Sequence, residues 1–160
     1  MPQVDEVTEM AQFCTFWLGG LLVGIDARQV QEVLRHDRMT EVPLAPPEVR
    51  GLINLRGQIV TAIDLRHQLG LEGREGLGAS VVVKAGEEVV SLLVDEVGEV
   101  VSPALDDFEP VPEGVPVRVR EIVGGTYKLP GKLLLVLDVH KLASHLEARA
   151  GSPERVHRDG

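Results

Sequence analysis

Val49-Arg50-Gly51-Leu52, then Leu55-Arg56-Gly57, then Ile63-Asp64-Leu65 and Leu69 form a series that the chain runs through a second time. The later copy reads Val119-Arg120-Glu121-Ile122, Leu129-Pro130-Gly131, Leu137-Asp138-Val139 and Leu142. In both copies seven positions separate the turn glycine from the aspartate, Gly57 to Asp64 and Gly131 to Asp138. A weaker echo lies upstream of each, Val30-Gln31-Glu32-Val33 and Val97-Gly98-Glu99-Val100. Duplication of one ancestral unit accounts for the pattern, and a duplicated unit bounds the fold before any single residue does. It also creates a shared seam between the copies besides two outer surfaces.

Outward from these segments, most apolar runs are short, β-branched and punctuated by Gly or Pro, which is the signature of strands. Strands are expected near 12–18, 21–26, 40–43, 49–54, 58–63, 80–85, 88–95, 98–104, 118–123 and 133–138. Gly19-Gly20, Leu55-Arg56-Gly57, Ala85-Gly86-Glu87 and Pro130-Gly131 supply the tight turns. Helices are expected over 27–34 behind an Asp26 cap, over 65–70 behind Asp64, and over 139–148 behind Asp138. Residues 70–80, rich in glycine and charge, read as the connection between the copies, and 1–10 and 149–160 read as disordered tails. Many short strands in a duplicated unit point to two small barrels side by side, since closure removes exposed sheet edges.

Only 3% of the 160 residues are aromatic, although 44% are apolar, so Val, Leu and Ile must build the core. A net charge of −9 argues against nucleic acid, which needs clustered Lys and Arg. Cys14 is the only cysteine, so no internal disulfide forms; it reads as a small buried hydrophobe in a reducing cytoplasm. No apolar run reaches the length of a membrane span, and the first residues carry no secretory pattern.

No catalytic constellation emerges. His140 and His145 are five apart, a spacing that diverges on a helix and is poor metal-ligand geometry. The serines lie in no nucleophile elbow, and the glycines of 70–78 lack the Lys-Ser/Thr of a phosphate loop. Asp95-Glu96 and Asp106-Asp107 are neighbours that would face opposite sides of a strand. Asp64 and Asp138 stand at helix starts, where capping explains them. An enzyme, a cofactor and a bound metal are therefore not expected.

Gly24-Ile25-Asp26, Val30-Gln31-Glu32-Val33, Val49-Arg50-Gly51-Leu52-Ile53-Asn54-Leu55-Arg56-Gly57, Ile63-Asp64-Leu65 and Leu93-Val94-Asp95-Glu96-Val97 occur together and in this order. The set resembles the CheW family, adaptors that couple bacterial chemoreceptors to the histidine kinase CheA. The resemblance runs from about residue 12 to 146 and departs from the family pattern over Val123-Gly124-Gly125-Thr126-Tyr127-Lys128. It implies two intertwined five-stranded SH3-like β-barrels, the first about 20–72 and the second about 80–140, with strands partly exchanged. It also implies two binding surfaces, one for the cytoplasmic tip of the receptor helical bundle and one for the regulatory domain of the kinase.

Under that resemblance, Glu32 and Arg56 fall where family members carry residues linked to receptor coupling. Val30, Val33, Val97 and Val100 are equivalent apolar positions of the two halves: core packing is one reading, and an apolar groove for a receptor helix is the other. Met39 and Gly51 are candidates for the kinase face, Gly51 alternatively serving a bulge. The expected function is a cytoplasmic scaffold recruited to receptor arrays; the alternative is a ligand-sensing β-barrel regulatory subunit, which would need a concave pocket with convergent polar groups.

Overall fold

The computed structural model describes residues 11–34, 49–66, 68–71, 78–85 and 87–146. Eleven strands occur among them: β1 (Phe13–Leu18), β2 (Leu21–Asp26), β3 (Val30–Leu34), β4 (Val49–Leu55), β5 (Gln58–Ile63), β6 (Ala79–Ala85), β7 (Glu88–Val94), β8 (Glu96–Val101), β9 (Phe108–Glu109), β10 (Val123–Leu129) and β11 (Lys132–Leu137). They form a six-stranded sheet in the order β8-β1-β2-β11-β10-β9 and a five-stranded sheet in the order β3-β6-β7-β5-β4. The fold is the mainly β pair of barrels that the repeats implied, SH3-like as the resemblance implied, one of them carrying the two-residue β9 as a sixth strand.

The strand orders give the duplication its physical form. The β4–β5 and β10–β11 hairpins share one register, Leu55 opposite Gln58 and Leu129 opposite Lys132, with a bulge after Val49 in one and after Val123 in the other. Each hairpin then pairs in parallel with a strand from the opposite half of the chain, β5 with β7 and β11 with β2. Hairpin β1–β2 therefore sits in the sheet built mostly from late residues, and hairpin β6–β7 in the sheet built from early ones. The sheets thus exchange strands across the boundary expected near 72–80. Between them Phe16, Leu18, Val23, Ile25, Ile63, Val81, Leu92, Ile122, Leu137 and Leu142 form one buried core fed by both. Such burial is the main stabilising term, about 25 cal/mol per Å² of apolar surface.

Several local expectations need correction. Asp26 does accept a hydrogen bond from the Arg28 amide, but it starts a 3-10 turn, Ala27–Gln29, not a helix to 34. Residues 30–34 alternate in burial with valines at two positions, and they extend as β3 against β6. The strand expected over 118–123 is instead a short helix, Val117–Arg120, whose amides at Val119 and Arg120 bond back to the Pro116 carbonyl; proline sets the φ of a helical start. The repeat counterpart of Val49-Arg50 is consequently Val123-Gly124, four residues after the Val119-Arg120 that sequence pattern alone selects.

Strand β10 is absent from the expected set because Gly124 and Gly125 break its pattern. Gly125 is needed there, since a Cβ would strike the Phe108 ring. The strand expected at 98–104 begins two residues earlier and ends at Val101. Asp138 caps the final helix, seen over 139–146, by accepting from the Lys141 amide at 3.0 Å. Asp64 likewise accepts from the Arg66 amide and the Leu69 amide donates to the Leu65 carbonyl, but the described residues of 65–70 form turns, not the expected helix. The strand expected at 40–43 and both expected tails lie outside the described residues.

A polar network ties the two sheets. Asp64 takes the Arg50 guanidinium at 2.8 Å. Arg66, buried, reaches Asp64 on one side and Asp95 on the other. Asp95 in turn accepts from the Gly19 amide at 2.7 Å, in the β1–β2 turn of the other sheet. Removing one member of a buried charge group is costly. We expect Arg66→Met to lower unfolding stability by about 3 kcal/mol, read as a drop in the urea midpoint; a loss under about 1 kcal/mol would mean that the network does not bind the sheets together.

Candidate functional site

Glu32 lies on β3, one edge of the five-stranded sheet, and Arg56 lies in the turn of the hairpin at the opposite edge. The two side chains meet in a planar, two-bond pair, Nη1 to Oε1 at 2.6 Å and Nη2 to Oε2 at 2.9 Å. The pair thus spans the gap between the sheet's edges, and it does so at the surface, with the Arg56 side chain 73% exposed. A fork-to-fork geometry of this kind fixes orientation as well as distance, which lysine cannot reproduce.

The backbone presents Arg56 for this contact. Arg56 and Gly57 both have positive φ, 55° and 89°, the primed two-residue turn that matches the twist of a hairpin. For a side chain as large as arginine the left-handed region is unfavourable by about 1 kcal/mol. Asn54 offsets this by accepting the Gly57 amide at 2.9 Å, which closes the turn. Sequence reasoning singled out Arg56 and Glu32 but gave Asn54 no part in holding them.

The four valines separate by position. Val30 and Val97 pack partly against the shared core. Val33 and Val100 are 42% and 56% exposed, on β3 and β8, each an edge strand of its sheet. The two exposed valines are counterparts in the duplication, as are Ile59 and Leu133, exposed one position beyond the turns' paired residues. Each barrel therefore displays an apolar residue on its edge strand and another near its hairpin tip. Gly51 is buried in β4, immediately after the bulge at Arg50, and Met39 lies outside the described residues.

Sequence reasoning missed Arg50, Arg66 and Asp95 as a network. The signal for the first was present: a two-residue turn at Arg56-Gly57 sets Arg50 close to Asp64 by hairpin arithmetic alone. Arg66 needed the tertiary fold, because Asp95 comes from a different hairpin. Elsewhere the Arg28 guanidinium, bonded to Asp26, holds that carboxyl below its usual range. Cys14 is only partly buried, not the fully buried hydrophobe expected; burial first, and the Asp26 carboxylate second, hold its thiol above the ordinary value. Among the described residues no group of three or more His, Cys, Asp or Glu is placed to hold a metal ion.

Two substitutions test the division of the valines. Val30→Glu puts a carboxylate against the shared core and is expected to lower stability by about 2 kcal/mol or more. Val100→Glu, on an exposed position, should stay within about 0.5 kcal/mol of the parent. Equal thermal melts for the two variants would contradict this placement.

The comparisons with known proteins agree with this geometry. The CheW-like domain family matches residues 12–147. The chain is 33% identical over 138 residues to the chemotaxis protein CheW of Klebsiella aerogenes, spanning 85% of this chain and 83% of that one. It is 30% identical over 145 residues to the chemotaxis protein CheW of Treponema pallidum, spanning 87% and 85%. A crystal structure of the scaffolding protein TtCheW from Thermoanaerobacter tengcongensis shares the fold with a TM-score of 0.74 at 30% identity, over 82% of this chain and 91% of that one. With its duplicated hairpins, exchanged strands and the family match over nearly all the described residues, the chain belongs to the CheW-like family.

Proposed function

We propose that the protein is a non-enzymatic adaptor that couples chemoreceptors to a CheA-type histidine kinase in bacterial chemotaxis. The observation that carries the reading is the bidentate Glu32–Arg56 pair, exposed at the surface and flanked on β3 by the exposed Val33. Family membership supports it, as do the relatives named for chemotaxis and the neighbour described as a scaffolding protein. Val33 and Val100 supply apolar surface for the face of a receptor helix, and Arg56 and Glu32 supply charge and orientation beside it. Two modest interfaces on one rigid body raise the effective concentration of each partner for the other. Met39 is the residue assigned to the kinase face, while Gly51, buried beside the β4 bulge, serves the backbone there. The protein works in the cytoplasm, recruited to membrane-bound receptor arrays; no helix among the described residues is long and apolar enough to cross a membrane.

A ligand-sensing barrel receives less support. The smaller cores of the two sheets are filled by side chains, Phe13, Leu22, Tyr127 and Leu134 in one and Ile53, Ala62 and Leu93 in the other.

The decisive experiment is a reconstituted receptor–adaptor–kinase assay run beside thermal melts. Arg56→Ala removes a surface pair worth at most about 1 kcal/mol, so its melt should stay near the parent while receptor control of the kinase is lost. Arg56→Lys should restore control only in part, because an ammonium cannot make both bonds at once. Val100→Glu should weaken binding of receptor fragments, since docking would strip water from a carboxylate. Full kinase control with Arg56→Ala, together with unchanged fragment binding by Val100→Glu, would overturn the receptor assignment.

A further inference from the structure

The duplication places a carboxylate in equivalent positions of the two hairpins, but only one of them has a guanidinium beside it. In the first copy the bulge residue is Arg50, and its Nη1 meets Asp64 Oδ2 at 2.8 Å, while Asp64 Oδ1 accepts the Arg66 amide at 2.9 Å. In the second copy the bulge residue is Gly124. Asp138 Oδ1 is again engaged by a backbone amide, that of Lys141 at 3.0 Å. Its Oδ2 faces Gly124, lying 3.5 Å from where a Cβ on that glycine would stand. The second copy thus keeps the acid and a backbone amide on its Oδ1, from three residues on where the first copy uses the amide two residues on, and lacks the arginine. Among the described residues no cation pairs with Asp138.

Beside Gly124 and Asp138 lies a groove of about 560 Å³, whose lining includes Phe13, Phe108, Val136 and His140 together with Asp26 and Arg28. Asp26 is already neutralised by Arg28, through bonds of 2.7 and 3.0 Å. Asp138 is therefore the carboxylate in the groove with no cation against it among the described residues. Phe108 is 45% exposed and adds an aromatic surface, a favourable neighbour for a planar cation.

We propose that this groove receives the guanidinium of an arginine presented by a partner protein, which completes at Asp138 the pair that Arg50 makes at Asp64. Arginine fits better than lysine because it pairs in a plane with a carboxylate and stacks on an aromatic ring. The site is independent of the receptor assignment: it follows β11 in the six-stranded sheet, whereas Glu32 and Arg56 belong to the five-stranded one.

The test is a titration of the isotope-labelled full chain, followed by amide resonances, with the blocked tripeptide acetyl-Gly-Arg-Gly-amide and its lysine and norleucine analogues. The arginine peptide should give saturable shifts at Phe108, Gly124 and 138–140, with the lysine peptide about fivefold weaker or more and the norleucine peptide silent. Asp138→Asn keeps an acceptor for the Lys141 amide, so the helix retains its cap, yet the response should vanish. Gly124→Arg supplies the guanidinium from within: it should abolish the peptide response and raise the melting temperature, and the gain should disappear in the Gly124→Arg/Asp138→Asn double variant. Equal shifts with the norleucine peptide, an undiminished response in Asp138→Asn, or a thermal gain that survives in the double variant would each overturn the proposal.

Discussion

Asp95 is the bend between β7 and β8, where the chain leaves the five-stranded sheet and enters the six-stranded one. Its amide bonds to the Trp17 carbonyl, its carboxylate accepts from Gly19, and the buried Arg66 faces it from the end of the first repeat. Gly78 runs so close that a Cβ there would strike the Asp95 carbonyl. This point fixes how the sheets approach each other, and the shared core of Phe16, Ile25, Leu92 and Leu137 depends on that approach. An apolar core alone sets no such register, because aliphatic contacts are non-directional; hydrogen-bonded charges are directional.

Much of the architecture was legible in the sequence because repetition is read before geometry. The spacing from Gly57 to Asp64 and from Gly131 to Asp138 corresponds to two hairpins in one register, and the fainter Val30–Val33 and Val97–Val100 echo corresponds to the two edge strands β3 and β8. Pattern failed where a local cue was ambiguous. Residues 27–34 carry apolar spacing that suits a helix, but partners on β6 were available to them as a strand. Gly124 and Gly125 hid β10; Gly125 is there because of the Phe108 ring, a neighbour distant from any turn signal, whereas a Cβ on Gly124 would meet only Asp138 at ordinary contact distance. At the candidate site, Glu32 and Arg56 were found by resemblance and brought together by curvature of the sheet. The Arg66–Asp95 contact had no signature, because it joins residues of unrelated hairpins.

Duplication also explains how one small chain presents two different surfaces. Each copy inherits an acid after its hairpin, an exposed valine on its edge strand and an exposed aliphatic residue near its tip. The copies then diverge by single side chains: arginine against glycine at the bulge, Arg56-Gly57 against Pro130-Gly131 at the turn. The first turn offers a forked cation and the second a rigid proline, so two equivalent scaffolds present unlike chemistry. Specificity then follows from differences between positions that share a backbone.

The exchange of hairpins has a consequence for how the chain is made. Strand β2 finds its parallel neighbour β11 more than a hundred positions later, the pairing Val23 with Leu135 being one rung of it. Contacts of such long sequence separation slow folding, because loop entropy is lost before the contacts form. While synthesis proceeds, the emerging β1–β2 hairpin has no finished sheet to enter, and β3–β5 wait for β6 and β7. The six-stranded sheet therefore cannot close until β10 and β11 are made, and β1–β2 keeps an unpaired edge until then, whereas the five-stranded sheet is complete once β7 is available. Cutting the chain at the repeat boundary would not yield two stable halves, since each would lack the hairpin that the other carries.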